Sequence, residues 1–263
     1  MSEVFEFYSG LPIRLSADSL SFEYGEGMFG PEPEMRRLDA IRPSLRDPGC
    51  SGPDPVYGIV MDIGRESDKP VLEERMLLFG AVVYAAGALG SEPVRSQGHV
   101  HAVSPHSGWS APEVFEIWSG TAIVYGQERA ETNPGRCIAV VARPGDKVVM
   151  PPGWAHYVVN ADAKTRMCFG ALCDRQYGFD YVGVRAHGGL AWFPTFTACG
   201  EIEWIPNPKY APSVLEHHTA RAYPELGLDH NGALYAQFAR DPESVMFVSE
   251  PQRAVSIWPD LVP

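Results

Sequence analysis

The sequence predicts an all-β fold in which short antiparallel strands build a sandwich or barrel. Three observations carry that expectation. From residue 56 to about residue 172, short runs of apolar and β-branched residues recur about every 8–12 residues. Turn signals stand between them, among them Ser119-Gly120, Asn133-Pro134-Gly135 and Pro144-Gly145-Asp146. The 26 glycines and 24 prolines make up 50 of the 263 residues, too many for a helical protein and suited to many turns. No amphipathic helical pattern interrupts the series, so a βαβ arrangement is not expected.

In chain order, residues 1–50 read as an N-terminal extension. Residues 24–33 are rich in Gly, Pro and Glu and read as loop; 32–38 suit a short helix. Residues 43–55, with four prolines and two glycines, form another loop. Strands are expected at 56–61, 76–84, 114–118, 121–125, 137–142, 147–150, 156–159 and 166–172, so that residues 51–190 form the β unit. After residue 190 the rhythm loosens. Ile205-Pro206-Asn207-Pro208 breaks regular structure, 213–222 suit one short helix, and 232–238 and 244–248 suit strands. Residues 191–263 are therefore expected to be a C-terminal extension packed on the β core rather than a second domain.

Charge narrows the function. Lys and Arg number 21 against 33 Asp and Glu, giving −12. A nucleic-acid binder needs a basic face, so that class is disfavoured. An anionic substrate would require a local positive centre. The longest apolar run, 79–89, is shorter than the ~20 residues needed to span a bilayer, so no membrane partner is expected. The opening MSEVFEFYSG carries two Glu and no basic residue, unlike a signal peptide. Five cysteines, an odd number with no C-x-x-C pair, suit reduced thiols and a cytoplasmic protein.

Chemistry concentrates in three strings. Gly98-His99-Val100-His101 puts two imidazoles on one face of a strand, which suits a transition-metal site and equally a solvated turn. In Glu113-Val114-Phe115-Glu116-Ile117-Trp118-Ser119-Gly120 the residues 113, 115 and 117 share one face and 114, 116 and 118 the other. Glu113 and Glu116 thus compete for a ligand role, and an inward Glu113 would need a cation or hydrogen-bond partner. The run from Gly145 to Asn160 is strand, Pro-Gly turn and strand, and the turn sends His156 back toward the preceding strands.

These strings resemble the cupin superfamily. Gly145, Pro151, Gly153, His156 and Asn160 follow its second motif, and His99-x-His101 with Glu113-x6-Gly120 follows most of the first. Pro93 stands where the first motif opens on Gly. The eleven residues between His101 and Glu113 exceed the usual number, which marks an insertion at 103–111. Within cupins the chain is similar to the cupin-type glucose-6-phosphate isomerases over about residues 50–210. The strings that carry this likeness are Ser96-Gln97-Gly98-His99-Val100-His101, Glu113-Val114-Phe115, Pro151-Pro152-Gly153-Trp154-Ala155-His156 with Asn160, Asp54-Pro55-Val56-Tyr57, and Asp180-Tyr181. The resemblance implies a jelly-roll barrel (a double-stranded β-helix) with the two extensions attached. It implies metal ligands at His99, His101, Glu113 and His156 and sugar-phosphate contacts at Tyr57, Ser96, Gly98 and Tyr181. It also implies a homodimer, for which the Val114 and Trp118 face suits burial. Three positions depart from the family: Val82 for a phosphate-contacting Thr, Phe115 for Tyr, and Phe179 for His. Each removes a polar contact near the substrate and none touches the metal.

Three neutral imidazoles and one carboxylate suit iron(II) first, with manganese, nickel or zinc as alternatives. The expected reaction is aldose–ketose isomerisation of glucose 6-phosphate and fructose 6-phosphate, with Glu113 moving the proton and Tyr181, a metal-bound hydroxide or a hydride shift between C2 and C1 as the alternatives. A cupin dioxygenase or decarboxylase and a non-catalytic sugar-binding cupin are the competing expectations. Arg95, Lys147 and Arg185 are candidate cations for the phosphate. The 103–111 insertion, with His106 and Trp109, reads as a lid or a plain surface loop. No paired spacing gives His187, His217 or His218 a ligand role.

Overall fold

The computed structural model describes residues 6–263. Two large sheets form the jelly-roll barrel expected of a cupin. One has six strands in the order Lys147–Met150, Glu113–Ser119, Met167–Asp174, Leu77–Tyr84, Tyr57–Met61 and Glu34–Arg36, each antiparallel to its neighbours. The other has four, in the order Ala155–Asn160, Ala122–Gln127, Cys137–Ala142 and Leu215–Thr219. The first three are antiparallel, and the last runs parallel to its neighbour.

Most barrel strands are buried along their whole length, because both faces of both sheets are covered. This is why they read as continuous apolar runs rather than as alternation. Val82, Phe115, Ile117, Val124, Val140, Val158 and Phe169 pack between the sheets. Outside the six-stranded sheet, Phe79, Val83, Val114, Trp118 and Leu172 meet Tyr223, Leu234, Tyr235, Phe238 and Phe247 of the C-terminal extension. Outside the four-stranded sheet, Tyr125, Tyr157 and Val159 meet Val184, Leu190 and Tyr210. A side chain at Gly170 would lie 2.2 Å from the Trp118 ring, so this glycine lets the indole lie flat across the sheet.

The tails differ from expectation. Residues 32–38 are not a helix: Glu34–Arg36 is an edge strand, and a helical turn follows at Leu38–Ile41. Residues 213–222 are not a helix either. Leu215–Thr219 pairs with Cys137–Ala142, whose outer backbone groups would otherwise lack partners. The expected strand at 232–238 is the helix Leu234–Arg240, in which Leu234 and Phe238, four apart, share the buried face. The expected strand at 244–248 is a 3-10 turn, Pro242–Val245, and its continuation. The C-terminal extension therefore holds one short helix, at a different place from the expected one, and each tail adds an edge strand to the barrel. The Val114 and Trp118 face, expected to meet a second copy, is covered by the chain's own C-terminal extension. Among the described residues, no helix is long and apolar enough to cross a membrane.

Candidate metal centre

Strand pairing assembles the centre. Gly98 takes φ +88°, and the chain then enters an antiparallel bridge in which the N–H groups of His99 and His156 donate to each other's carbonyls at 3.1 and 2.9 Å. Residues directly opposite in such a bridge project to the same side, so the two imidazoles lie 4.5 Å apart. His101 follows two residues on, on the same face, 5.0 Å from His99. Glu113, at the start of its strand, points inward with Phe115. One ligand atom from each of His99, His101, Glu113 and His156 lies within 4.8 Å of the others.

The hydrogen bonds behind the rings decide what this cluster can hold. His101 Nδ1 is 2.9 Å from the Ala111 carbonyl and His156 Nδ1 is 3.0 Å from the Trp154 carbonyl. A carbonyl oxygen only accepts, so each Nδ1 carries the proton and each neutral ring turns a lone pair on Nε2 inward. Those lone pairs face Glu113 Oε2 at 3.3 and 3.1 Å. An ionised carboxylate has no proton to offer. His99 Nε2 is also buried without a protein partner. Acceptors this close demand protons or a cation among them, and three nitrogens with one oxygen fit a divalent transition metal.

Without a cation, the same contacts require a proton on the facing Nε2 atoms. Burial favours protonated Glu113, yet hydrogen bonds and charge from His101 and His156 in that state outweigh it and hold the carboxyl well below its usual range. His99 is pushed well below its ordinary value by burial and by the two neighbouring imidazoles. Burial acts to lower His101 as well, but Glu113 and the Ala111 carbonyl raise it overall.

The cluster closes one side of a cavity of about 630 Å3 counted out to its mouth, a size typical of small-molecule sites at ~300–1,000 Å3. Tyr57, Ser96, Gly98 and Tyr181 all line it. Ser96 Oγ already accepts from Val158 N at 3.1 Å and meets the Tyr84 hydroxyl. Val82, Phe115 and Phe179 line the same cavity, with the Phe179 ring 4.5 Å from His99. Glu116 faces the opposite way and pairs with Lys147 at 3.3 Å and the Leu234 N–H at 2.7 Å, which leaves the inward position to Glu113.

Two of the three candidate cations lie elsewhere. Arg95 is fully buried against Glu92 at 2.7 Å, and Lys147 is taken by Glu116. Arg185 reaches the rim, where it stacks over Tyr181 and meets Gln97 at 3.2 Å. The cation that sequence reasoning missed is Arg36, which lines the cavity from the edge strand. It lies inside residues 32–38, expected to be a helix, and nothing in its sequence context marked it as facing a cavity.

Residues 103–111 do not line the cavity but brace His101. Ser104 N meets the Trp109 carbonyl, Ser110 Oγ donates to the His101 carbonyl at 2.6 Å, and Trp109 packs on the outer apolar cluster. The insertion is thus neither lid nor idle loop: its last residue, Ala111, orients His101. His106 is exposed on the same loop. His187 stacks on Tyr210, and His218 lies 3.3 Å from Glu216, both outside the cluster.

Residues 47–209, which contain the whole cluster, match the family described as Glucose-6-phosphate isomerase (GPI). Relatives carrying the name glucose-6-phosphate isomerase include one from Thermococcus gammatolerans, 27% identical over 158 residues, covering 60% of this chain and 75% of that protein. Another, from Pyrococcus horikoshii, is 28% identical over 157 residues, covering 60% of this chain and 74% of that protein. With more than half of its length matched and the motif residues gathered at one centre, the chain belongs to the glucose-6-phosphate isomerase family.

Proposed function

We propose that this protein is a metal-dependent isomerase interconverting glucose 6-phosphate and fructose 6-phosphate in the cytoplasm. The observation that carries this reading is the inward convergence of His99, His101, Glu113 and His156 on one side of a sugar-sized cavity. These four residues would hold the ion, with iron(II) the first choice and manganese, nickel or zinc suited to the same donors. Bound there, a divalent cation would polarise the sugar carbonyl and stabilise negative charge on the substrate oxygens.

Glu113 is the only carboxylate lining the cavity among the described residues. Held ionised, it accepts the proton from C2 of the aldose and returns it to C1, while the O2 hydroxyl proton passes to O1. No net oxidation occurs. The Tyr181 hydroxyl, at the mouth, is the group for the oxygen-to-oxygen transfer. Phe115 and Phe179 lie against the imidazoles and make that side of the cavity apolar.

The apolar wall at Val82, Phe115 and Phe179 favours a second reading, a sugar-binding cupin without turnover. A coupled assay on fructose 6-phosphate, mannose 6-phosphate and unphosphorylated sugars, with and without chelator, separates the two. Turnover that disappears with the metal and returns on adding it supports the isomerase. Turnover surviving complete metal removal defeats the metal-dependent reading; binding without turnover leaves the second.

A further inference from the structure

A net charge of −12 repels a phosphate ester, so the cavity needs its own cation. Arg36 is placed to supply it. Its strand precedes residue 47, outside the family match, and pairs so that Arg36 stands opposite Tyr57. The side chain is 23% exposed and lines the cavity beside Tyr57 and Tyr181. The guanidinium lies beside Tyr57, opposite it in the strand register, and its charge is felt at Tyr57, Tyr181 and His99, so cation and metal cluster share one space. Arg36 Nε is buried without a protein partner. One Nη lies 3.0 Å from Glu34, whose own side chain is 68% exposed and is able to turn into water. A rigid planar fork, with one N–H unmet and another held only by a surface carboxylate, is suited to a phosphate or carboxylate end group.

We propose that Arg36 is a specificity-determining residue, in which the guanidinium, braced on Tyr57, binds the anionic end group of the substrate and restricts turnover to phosphorylated sugars. This rests on the isomerase reading above. It places anion recognition on the N-terminal edge strand, against a barrel wall made apolar by Val82, Phe115 and Phe179.

The test uses the full-length protein, its Arg36→Met, Arg36→Gln and Arg36→Lys variants, and inorganic phosphate as probe. Losing a charge-assisted fork is expected to raise KM for fructose 6-phosphate and Ki for phosphate about 10- to 100-fold in Arg36→Met. Metal content stays at the wild-type level and kcat within a few-fold. Arg36→Lys, which keeps charge without the fork, is expected to fall between. A purely structural role would instead lower thermal stability, kcat and metal content together. Folded Arg36→Met or Arg36→Gln protein with wild-type Ki for phosphate overturns the proposal. If wild-type protein turns over no sugar phosphate, the isomerase reading fails, and calorimetric titration with phosphate still decides the role of Arg36. Binding weakened in Arg36→Met sustains it; equal binding, or none by wild type, overturns it.

Discussion

Replacing Glu113 with Gln isolates the proton carrier from the architecture around it. The amide keeps the shape of the carboxylate, so the backbone of the Glu113–Ser119 strand and its pairing with Met150 have no reason to move. What goes is one negative charge and one proton acceptor. A positioned general base contributes roughly 10²- to 10⁴-fold in rate, which is about 3–5 kcal/mol on the barrier. Nothing else in the cavity stands in for the carboxylate. Tyr57 and Tyr84 are pushed further from deprotonation by burial, and so is Tyr181, whose two neighbouring arginines only partly offset it. His99 lies deep in the cluster with its Nε2 turned to the ion position. The measurement is kcat in a coupled assay on metal-saturated protein whose occupancy has been determined by elemental analysis, with incorporation of solvent deuterium followed in parallel. Fully loaded Glu113→Gln protein is expected to lose at least ~100-fold in kcat. Turnover within a few-fold of wild type at full occupancy would refute the assignment and hand the proton to Tyr181 or to a hydride shift.

Other expectations follow from the same packing. In metal-free protein Glu113 is depressed, so its contribution is present above its ordinary value of 4.5 and disappears as pH falls toward its folded value. His101 is raised, so its contribution is present below 6.5 and disappears as pH rises through its folded value. His99 is lowered, so it costs stability below 6.5 and works against the His101 contribution there. Chelated protein should therefore lose stability as pH falls below 4.5, where the Glu113 contribution fades, whereas metal at ~100 Kd adds about 2.7 kcal/mol; identical Tm profiles with and without chelator would count against a bound ion. Lys147→Met strands the Glu116 carboxylate in the core and is expected to cost about 3–5 kcal/mol, or some 6–20 °C in Tm. Adding Glu116→Gln should recover part of that loss, and a Tm unchanged in the single variant would show the pair to be dispensable. A chain ending at residue 222 loses Leu234, Tyr235, Phe238, Phe247 and Trp258, each worth roughly 1.5–3 kcal/mol of burial, against a whole-domain stability of about 5–15 kcal/mol. It is expected to be insoluble, and a soluble cooperative folder would show that residues 51–190 need no C-terminal cover.

The candidate metal cluster was legible where the features that build it are local. Two histidines at alternate positions share a strand face whatever the rest of the fold does. The Pro151-Pro152-Gly153 turn carries the chain from one sheet to the other within a few residues, which sets His156 facing Glu113 across the barrel. The choice between Glu113 and Glu116 was open in the sequence, since alternation says that they oppose each other and not which one points inward. The fold resolves it through Lys147 and the Leu234 N–H, which meet Glu116 from outside the barrel. Neither partner is near Glu116 in the sequence. The insertion is a mixed case: its length was plain, while the carbonyl of Ala111 that orients His101 carries no side-chain signature.

What stayed hidden depends on pairing between distant segments. Leu-Glu-His-His-Thr at 215–219 has no strong preference of its own, and it is strand because the open edge at Cys137–Ala142 needs partners for its N–H and C=O groups. Leu234 and Phe238 carry β-forming neighbours such as Tyr235, yet the surface waiting for them is the flat outer face of a sheet around Trp118, which accepts an i, i+4 helical stripe. Arg36 is the functional consequence of the same rule. Its identity says only that a charge is present. Its place in the cavity follows from the register Arg36↔Tyr57, which spans a proline-rich loop and is decided by the last free edge of the six-stranded sheet. A shift of one residue in that register would turn the guanidinium to the other face. The candidate metal cluster is thus written in motifs, whereas the cation that would choose a substrate is written in a strand pairing, and only the first can be read without the fold.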